Sequence, residues 1–144
     1  MYWILVLSVA LFITTFYFHF MALKTLHRLN VKPGGRGESR FAVTVTTILF
    51  IHMVEISAYA IVYMLIDHTG FGEFKGQPVE GFRDYLYFSI VSYTTLGIGD
   101  IYPEGGLRLL SGLEALNGLL LIAWSASFTY FDMERLRRAG LSDG

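Results

Sequence analysis

Cysteine is absent from the 144 residues of this sequence. Its absence excludes disulfide bonds, metal–thiolate sites and redox switching by thiols. Charge is scarce as well, because Asp, Glu, Lys and Arg together make up 16% of the residues and the formal net charge is −1. Such a balance gives no indication of a nucleic-acid partner. No apolar segment carries the series of arginines that a voltage sensor of the usual type requires.

Long apolar segments dominate the chain. It is 53% hydrophobic and 16% aromatic, with a mean hydropathy of +0.49, which excludes disorder and is typical of a membrane protein. Residues 1–23, 41–66 and 107–131 are each long enough to cross about 30 Å of hydrocarbon as a helix. The first segment lacks the positive start and small-residue cleavage site of a signal peptide, so we expect it to be retained. The expected fold is an all-α membrane protein with three transmembrane helices.

The basic residues are distributed unevenly around these spans. Five of the eleven lysines and arginines lie in residues 24–40, where Pro33 and neighbouring glycines predict a flexible loop, and three lie in the tail, residues 132–144. The positive-inside rule therefore predicts that this loop and the C-terminus are cytoplasmic and that the N-terminus is outside. The loop is either a topology signal that meets anionic headgroups or a dedicated lipid-binding patch. Membrane lipids are partners in both cases.

The most specific pattern is Thr94-Thr-Leu-Gly-Ile-Gly-Asp100, between the second and third spans. Gly97 and Gly99 alternate with residues that carry a Cβ, and alternating glycines allow the sign of φ to alternate. Successive carbonyl groups can then point in one direction. Together with the aromatic stretch before it and the Tyr-Pro103 that follows, this motif resembles the pore loop of the two-transmembrane, "ion channel 2" group of potassium channels. The resemblance covers residues 82–131.

The resemblance implies a selectivity filter at residues 94–100. Its backbone carbonyls would replace the water shell of K⁺, the permeant ion, in stacked rings. The implied ion-binding residues are Thr95, Leu96, Gly97, Ile98 and Gly99, with K⁺ itself at the first four. One chain supplies one loop, and one loop cannot surround an ion, so the function requires closed symmetry, most simply a homotetramer. No cofactor and no enzyme activity are expected.

The resemblance also assigns the rest of the pore domain, residues 41–131. It implies an outer helix over residues 41–66, an extracellular turret over 67–81, a re-entrant pore helix over 82–94 and an inner helix over 107–131. The first span is then an extra N-terminal helix. The residues implied in filter support and the outer mouth are Thr94, Asp100, Tyr93, Phe88 and Glu104.

Three positions depart from the family's pattern. Val91 stands where some bacterial members have Glu, Phe88 stands where many have Trp, and Ile98 replaces the usual Tyr or Phe. We therefore expect apolar packing to replace the hydrogen bonds that brace the filter behind Asp100. We also expect K⁺ selectivity to be less strict than the motif alone predicts.

Ionisable residues within the predicted spans are candidates for gating or pH sensing. His52 and Glu55 share one face of a helix. Glu114 is expected to be buried behind the filter or to face the second span, where His52 or Glu55 could meet it. The group is either a structural polar contact or a proton-sensitive site. A di-iron site would need more His and Glu residues from four helices than the chain has. His19 is predicted to lie at the membrane interface, near the inner end of the first span.

Polar and small residues of the third span are further gating candidates. Gly118 falls near the hinge position of the family's inner helix, although glycine in membranes also marks tight helix contact. Asn117 is predicted to face the ion cavity. A small polar face fit for a wet inner pore would continue through Ser125, Ser127 and Thr129.

The favoured function is a passive K⁺ channel in a bacterial inner membrane. A weakly selective monovalent cation channel of the same fold would carry the same motif. From another class, a proton-coupled carrier or an enzyme would use His52, Glu55 and Glu114, but the chain lacks a nucleophile motif and inverted repeats. A non-conducting membrane assembly module would leave the alternating glycines unexplained.

Overall fold

The computed structural model describes residues 2–30 and 37–142 and is mostly helical. The elements in chain order are the helices and strands α1 (Tyr2–Asn30), α2 (Gly37–Thr69), β1 (Phe74–Gly76), α3 (Phe82–Tyr93), β2 (Ile101–Pro103) and α4 (Leu107–Ser142). Three helices contain segments long and apolar enough to cross a membrane: Tyr2–Leu29, Ser39–Thr69 and Leu107–Arg135. These observations confirm an all-α membrane fold with three transmembrane helices.

The long helices extend beyond their predicted ends. Residues 24–30 and 37–40, predicted as part of a cytoplasmic loop, are helical, and α4 continues through the predicted tail to Ser142. Helices propagate readily once begun, and Leu26 is buried in the last turns of α1, so packing favours the longer helix. Residues 31–36, with the proline and two of the glycines predicted to form a flexible loop, lie outside the described residues.

One face of α1 packs against α2 and α4. Its buried side chains recur at helical spacing and include polar residues: Ile4, Ser8, Thr15, His19, Leu23 and Leu26. Apolar residues such as Ile13 and Tyr17 on the remaining surface are exposed, as a lipid-facing surface requires. The extra helix is therefore packed into the fold along its length.

Contacts near the two ends of α1 indicate which elements share an end of the bundle. Trp3 packs edge to face against Phe71 in the connection between α2 and β1, with ring centroids 5.2 Å apart. His27 packs edge to face against Phe128 of α4 at 6.4 Å. The start of α1 and the segment after α2 thus lie at one end of the bundle, and the last turns of α1 and the later part of α4 lie at the other.

The short helix α3 lies between α2 and α4 and is held by the main apolar core. Its 12 residues measure about 18 Å, too little to cross the bilayer. It is therefore re-entrant, and protein rather than lipid surrounds its buried face. The buried members of this core are Tyr59, Ala60, Tyr63, Ile66, Tyr85, Phe88, Ile101, Leu107 and Leu110.

A two-stranded antiparallel ribbon, absent from the predicted fold, joins the turret to the segment after the filter. Gly76 of β1 stands opposite Ile101 of β2, and the amide of Gln77 donates a hydrogen bond to the Asp100 carbonyl at 2.8 Å. Strands of three residues are too short to show an alternating pattern in the sequence. The ribbon fixes the position of Asp100, at the end of the predicted filter.

We expect Gly76→Ala to destabilise the fold more than Gly70→Ala. Both glycines have positive φ, +95° and +74°, so each substitution carries a backbone strain of about 1–2 kcal/mol. A Cβ on Gly76 would also overlap the carbonyl oxygen of Asp100, whereas one on Gly70 would meet no atom of the described residues within 4 Å. Thermal unfolding in detergent measures both variants, and equal melting temperatures would contradict the close contact at Gly76.

Candidate ion-conduction site

The predicted filter begins at the C-terminal end of α3. Its backbone has positive φ at Thr95 (+58°), Gly97 (+61°) and Gly99 (+82°), but not at Leu96 or Ile98. The sign of φ therefore alternates, as the spacing of the glycines predicts. The first positive φ occurs at Thr95, two residues before Gly97. A residue with a Cβ adopts this conformation at a cost of about 1–2 kcal/mol, so the surrounding structure must hold Thr95 in it.

A single chain anchors one end of this loop and covers little of the rest. The amide of Thr95 donates to the Ser92 carbonyl at 2.9 Å, and the amide of Leu96 donates to the Val91 carbonyl at 3.0 Å. Beyond this anchor the side chains are open to the surroundings, with Leu96 65% exposed and Ile98 55% exposed. The loop therefore presents most of its surface away from its own chain.

The carboxylate of Asp100 is braced by hydrogen bonds. Tyr87 of α3 donates its hydroxyl to Oδ2 at 2.9 Å, and the Ile101 amide donates to Oδ1 at 3.0 Å. The bond from the phenol raises the pKa of Tyr87, because a phenolate would face a carboxylate. The prediction that apolar packing replaces hydrogen bonds behind Asp100 is therefore wrong, since a tyrosine one helical turn before Val91 supplies the donor.

Phe88 gives apolar support next to this hydrogen bond. Its ring packs edge to face against Tyr63 of α2, with centroids 5.1 Å apart, and against Phe74 of β1 at 4.9 Å. Phe88 therefore links α3 to α2 and to the ribbon, and its role in filter support stays a prediction.

The two ends of the filter segment differ in their surroundings. At the end next to α3, the Thr94 hydroxyl donates to the Ile90 carbonyl at 2.7 Å, and the same carbonyl accepts the Thr94 amide at 3.0 Å. At the outer end, Glu104 is exposed, and its amide donates to the Glu73 carbonyl at 2.9 Å. A role of its carboxylate at an outer mouth stays a prediction.

Glu114 of α4 is fully buried and joins three helices. Its carboxylate accepts hydrogen bonds from Tyr63 of α2 at 2.6 Å and from Ser89 of α3 at 2.5 Å. Glu114 is buried, as expected, but its partners are these hydroxyls and not His52 or Glu55. It fixes the pore helix between the outer and inner helices.

We expect Glu114→Leu to lower the stability of the fold by about 1–2 kcal/mol, the range for polar contacts between membrane helices. The substitution removes the carboxylate that accepts the Tyr63 hydroxyl, whereas Ser89 keeps a second acceptor, the Ile56 carbonyl at 2.9 Å. Unfolding in mixed detergent micelles measures the loss. The double variant Glu114→Leu/Tyr63→Phe removes the Tyr63 hydroxyl as well and should recover part of the loss. No recovery would contradict the assigned hydrogen bond.

A second buried polar cluster connects α1 with the other three helices. Glu55 contacts His19 Nδ1 at 2.9 Å through Oε1 and accepts the Tyr93 hydroxyl at 2.7 Å through Oε2. His52 contacts the Tyr93 oxygen through Nδ1 at 2.9 Å and Ser125 Oγ through Nε2 at 3.1 Å. The Ser125 oxygen in turn lies 3.1 Å from His19 Nε2. We call these five residues, which form a closed circuit, the buried ring.

The position of His19 corrects the sequence prediction. Its side chain is fully buried rather than at the membrane interface, because it contacts a carboxylate that needs donors inside the bundle. The sequence does contain one sign of this burial: His19 is four residues from both Thr15 and Leu23, which lie on the packed face of α1. Ser125 likewise belongs to the buried ring rather than to a wet pore face.

A pH-sensing role for His52, Glu55 and Glu114 stays a prediction.

Asn117 connects α1 to the pore domain at a second site, separate from the buried ring. Its Nδ2 donates to Thr15 Oγ1 of α1 at 2.6 Å and to the Tyr59 hydroxyl of α2 at 3.0 Å. The side chain is fully buried among these helices, so the prediction that it faces the cavity is wrong. Neither Asn117 nor His19 carries a motif that identifies its partner from sequence.

Gly118 lies against the C-terminal end of α3. A Cβ at this position would overlap the carbonyl oxygen and carbon of Tyr93, the last residue of α3. The glycine therefore permits close approach between the inner helix and the base of the filter. Its predicted hinge role stays a prediction, whereas the alternative of tight helix contact is observed.

Comparisons with known proteins agree with this arrangement. The family model described as "Ion channel" matches residues 49–131, from within α2 to within α4. Protein LctB from Geobacillus stearothermophilus is 30% identical over 84 residues, which cover 54% of this chain and 63% of that protein. The chain therefore spans less than two thirds of that relative's length. Since the family match covers more than half of the chain and includes α3, the filter segment and the helices around them, the protein belongs to the ion channel family.

Proposed function

We propose that the protein is a homotetrameric, K⁺-selective channel that conducts passively. The observation that carries this proposal is the alternating sign of φ through Thr95, Gly97 and Gly99, in a loop that its own chain leaves exposed. Such a backbone supports carbonyls of residues 95–98 that face a common axis and replace the water around K⁺. The partial negative charge at the C-terminal end of α3 favours a cation there.

Four chains are the simplest assembly that closes a ring of these carbonyls. The exposure of Leu96 and Ile98 supports such a ring, because neighbouring chains would cover the surface that one chain leaves open. Exposed apolar residues on α4, among them Leu116, Leu119 and Leu120, would lie against neighbouring subunits or lipid.

The proposed orientation has the filter outside and the basic α1–α2 connection in the cytoplasm of a bacterial inner membrane. The charge asymmetry supports this direction. Asp100 and Glu104 would then raise the local cation concentration at the outer mouth.

A weakly selective monovalent cation channel is the second candidate. Ile98 favours it, because an aliphatic side chain offers no hydrogen bond to hold the width of the filter. The bond from Tyr87 to Asp100 favours the selective channel, because it fixes the outer end of the same segment. A carrier or enzyme is disfavoured, because the hydrogen bonds of Glu114 go to Tyr63 and Ser89 and it does not meet the His52–Glu55 pair.

Flux through purified protein in liposomes tests the proposal. We expect uptake of ⁸⁶Rb⁺ driven by a K⁺ gradient, competition by external K⁺ and little competition by Na⁺. The native mass of the detergent-solubilised protein should equal four chains. Equal competition by Na⁺ and K⁺ would favour the weakly selective channel, and no uptake by a correctly assembled tetramer would contradict a channel.

A further inference from the structure

The buried ring cannot satisfy all its contacts when both imidazoles are neutral. Its circuit contains five contacts between nitrogen and oxygen atoms, and each needs one bridging hydrogen. A neutral histidine, a phenol and a serine hydroxyl each supply one, and an ionised carboxylate supplies none. The two histidines, Tyr93 and Ser125 together supply four. One contact therefore lacks a hydrogen, and the ring has room for one additional positive charge.

The electrostatics of the site lead to the same conclusion. Glu55 and His19 have no exposed side-chain surface, and the His52 side chain is 12% exposed. A carboxylate at this depth in a membrane bundle is costly unless a cation accompanies it. Among the described residues, Glu55 forms ion pairs with the imidazoles of His19 and His52 and with no lysine or arginine.

We propose that His19, His52 and Glu55 form a binding site for one divalent transition-metal ion, with Zn²⁺ as the ion that suits the donor set best. Each residue offers one ligand atom, and these atoms all lie within 4.8 Å of one another. Two imidazoles and one carboxylate are a known set of protein ligands for zinc. The His52–Glu55 pair of α2 alone would not make this site, and the third ligand comes from α1.

The remaining members of the ring match the needs of metal-bound histidines. A ligating imidazole normally donates its other N–H to an oxygen, which fixes its orientation. The Nδ1 atoms of both histidines lie on the side of Glu55, and both Nε2 atoms lie 3.1 Å from Ser125 Oγ, whose two lone pairs can accept from both. The Tyr93 oxygen is placed to bind the carboxylate or to complete the coordination of the metal.

This site would fasten the extra helix to the pore. Its ligands come from α1 and α2, and Tyr93 beside them is the residue whose backbone carbonyl packs on Gly118. An ion bound here would therefore act next to the base of the filter without lying in the proposed conduction path.

Cobalt binding to the purified full-length protein tests the proposal without any flux measurement. After treatment with a chelator, the protein is titrated with Co²⁺, whose visible absorption bands report histidine coordination. We expect one Co²⁺ per chain, displaced by Zn²⁺. His19→Gln and His52→Gln should each weaken binding by about 100-fold or more, and Tyr93→Phe by about 10- to 100-fold as an outer partner.

Two other histidines give matched controls. His27 lies on α1 and His68 lies on α2, and neither belongs to the buried ring. His27→Gln and His68→Gln should leave both the stoichiometry and the affinity unchanged. Failure of the native protein to bind Co²⁺ or Zn²⁺ would overturn the proposal and would leave a proton as the additional charge. Binding that survives His19→Gln in a correctly assembled protein, or that is lost in a control, would overturn it as well.

Discussion

Gly97→Ala and Gly99→Ala proteins are expected to insert and assemble but to lose most of their discrimination between K⁺ and Na⁺. Both glycines have positive φ, and a Cβ penalises that conformation by about 1–2 kcal/mol in each subunit. Since neither Cβ would meet an atom of the described part of its own chain within 4 Å, the strain within one chain comes from the backbone. In the proposed tetramer, four copies around one axis would multiply the strain to about 4–8 kcal/mol, enough to change the direction of the carbonyls.

Gly112→Ala is the matched control for both filter variants. Gly112 lies in α4 and has no positive φ, and a Cβ there would meet no atom within 4 Å in the described part of its own chain. We expect it to keep native selectivity and to gain up to about 1 kcal/mol from the higher helix propensity of alanine. Bi-ionic reversal potentials compare the three variants. Native selectivity in Gly99→Ala would contradict the assignment of the carbonyl ladder.

Gly118→Ala is expected to have the opposite effect on stability from Gly112→Ala, although both substitutions lie in one helix. The new methyl group at Gly118 would overlap the Tyr93 carbonyl, so either α3 or α4 must move. Forced overpacking of this kind costs about 1–3 kcal/mol, which exceeds the gain of about 1 kcal/mol in helix propensity. The displaced group is the carbonyl directly before Thr94, and ion flux should therefore fall together with stability.

Thermal unfolding and liposome flux of the two alanine variants test this expectation. A stabilised Gly118→Ala protein with native flux would show that ion flux does not depend on the close contact between Gly118 and the Tyr93 carbonyl. A protein of native stability with reduced flux would favour the hinge role predicted from the family resemblance, because a hinge acts on opening and not on the stability of the closed packing.

The alternating backbone of residues 95–99 and the membrane spans could be predicted because each leaves a local pattern. Alternating glycines at Gly97 and Gly99 encode the sign of φ directly, and apolar runs of more than 20 residues encode membrane helices. The ends of the helices were less predictable. Residues 24–30 are polar enough to predict a loop, yet the packing of Leu26 continues α1 through them.

Partnerships between distant residues left no comparable pattern. The hydrogen bond from Tyr87 to Asp100 spans 13 positions, and the prediction considered only the family's usual donor and acceptor positions. His19 and Glu55 are 36 positions apart, and the pairing depends on how α1 packs against α2. A buried polar residue needs a partner, but the sequence does not say which helix provides it.

The buried ring and Asn117 together explain why α1 is part of the fold although the family match begins within α2. Thr15 and His19, one helical turn apart on α1, each contact a buried polar side chain of the pore domain. Removing α1 would leave Asn117 and Glu55 without these partners. The extra helix therefore has a structural role that its apolar sequence alone does not reveal.

The reversal potential of the purified protein, with K⁺ on one side of a planar bilayer and Na⁺ on the other, tests the central claim most directly. A permeability ratio of tenfold shifts this potential by about 59 mV for a monovalent ion. The proposed K⁺ filter predicts a shift of more than about 59 mV in the direction of K⁺ permeation. A reversal potential near zero, with clear currents from an assembled tetramer, would contradict K⁺ selectivity.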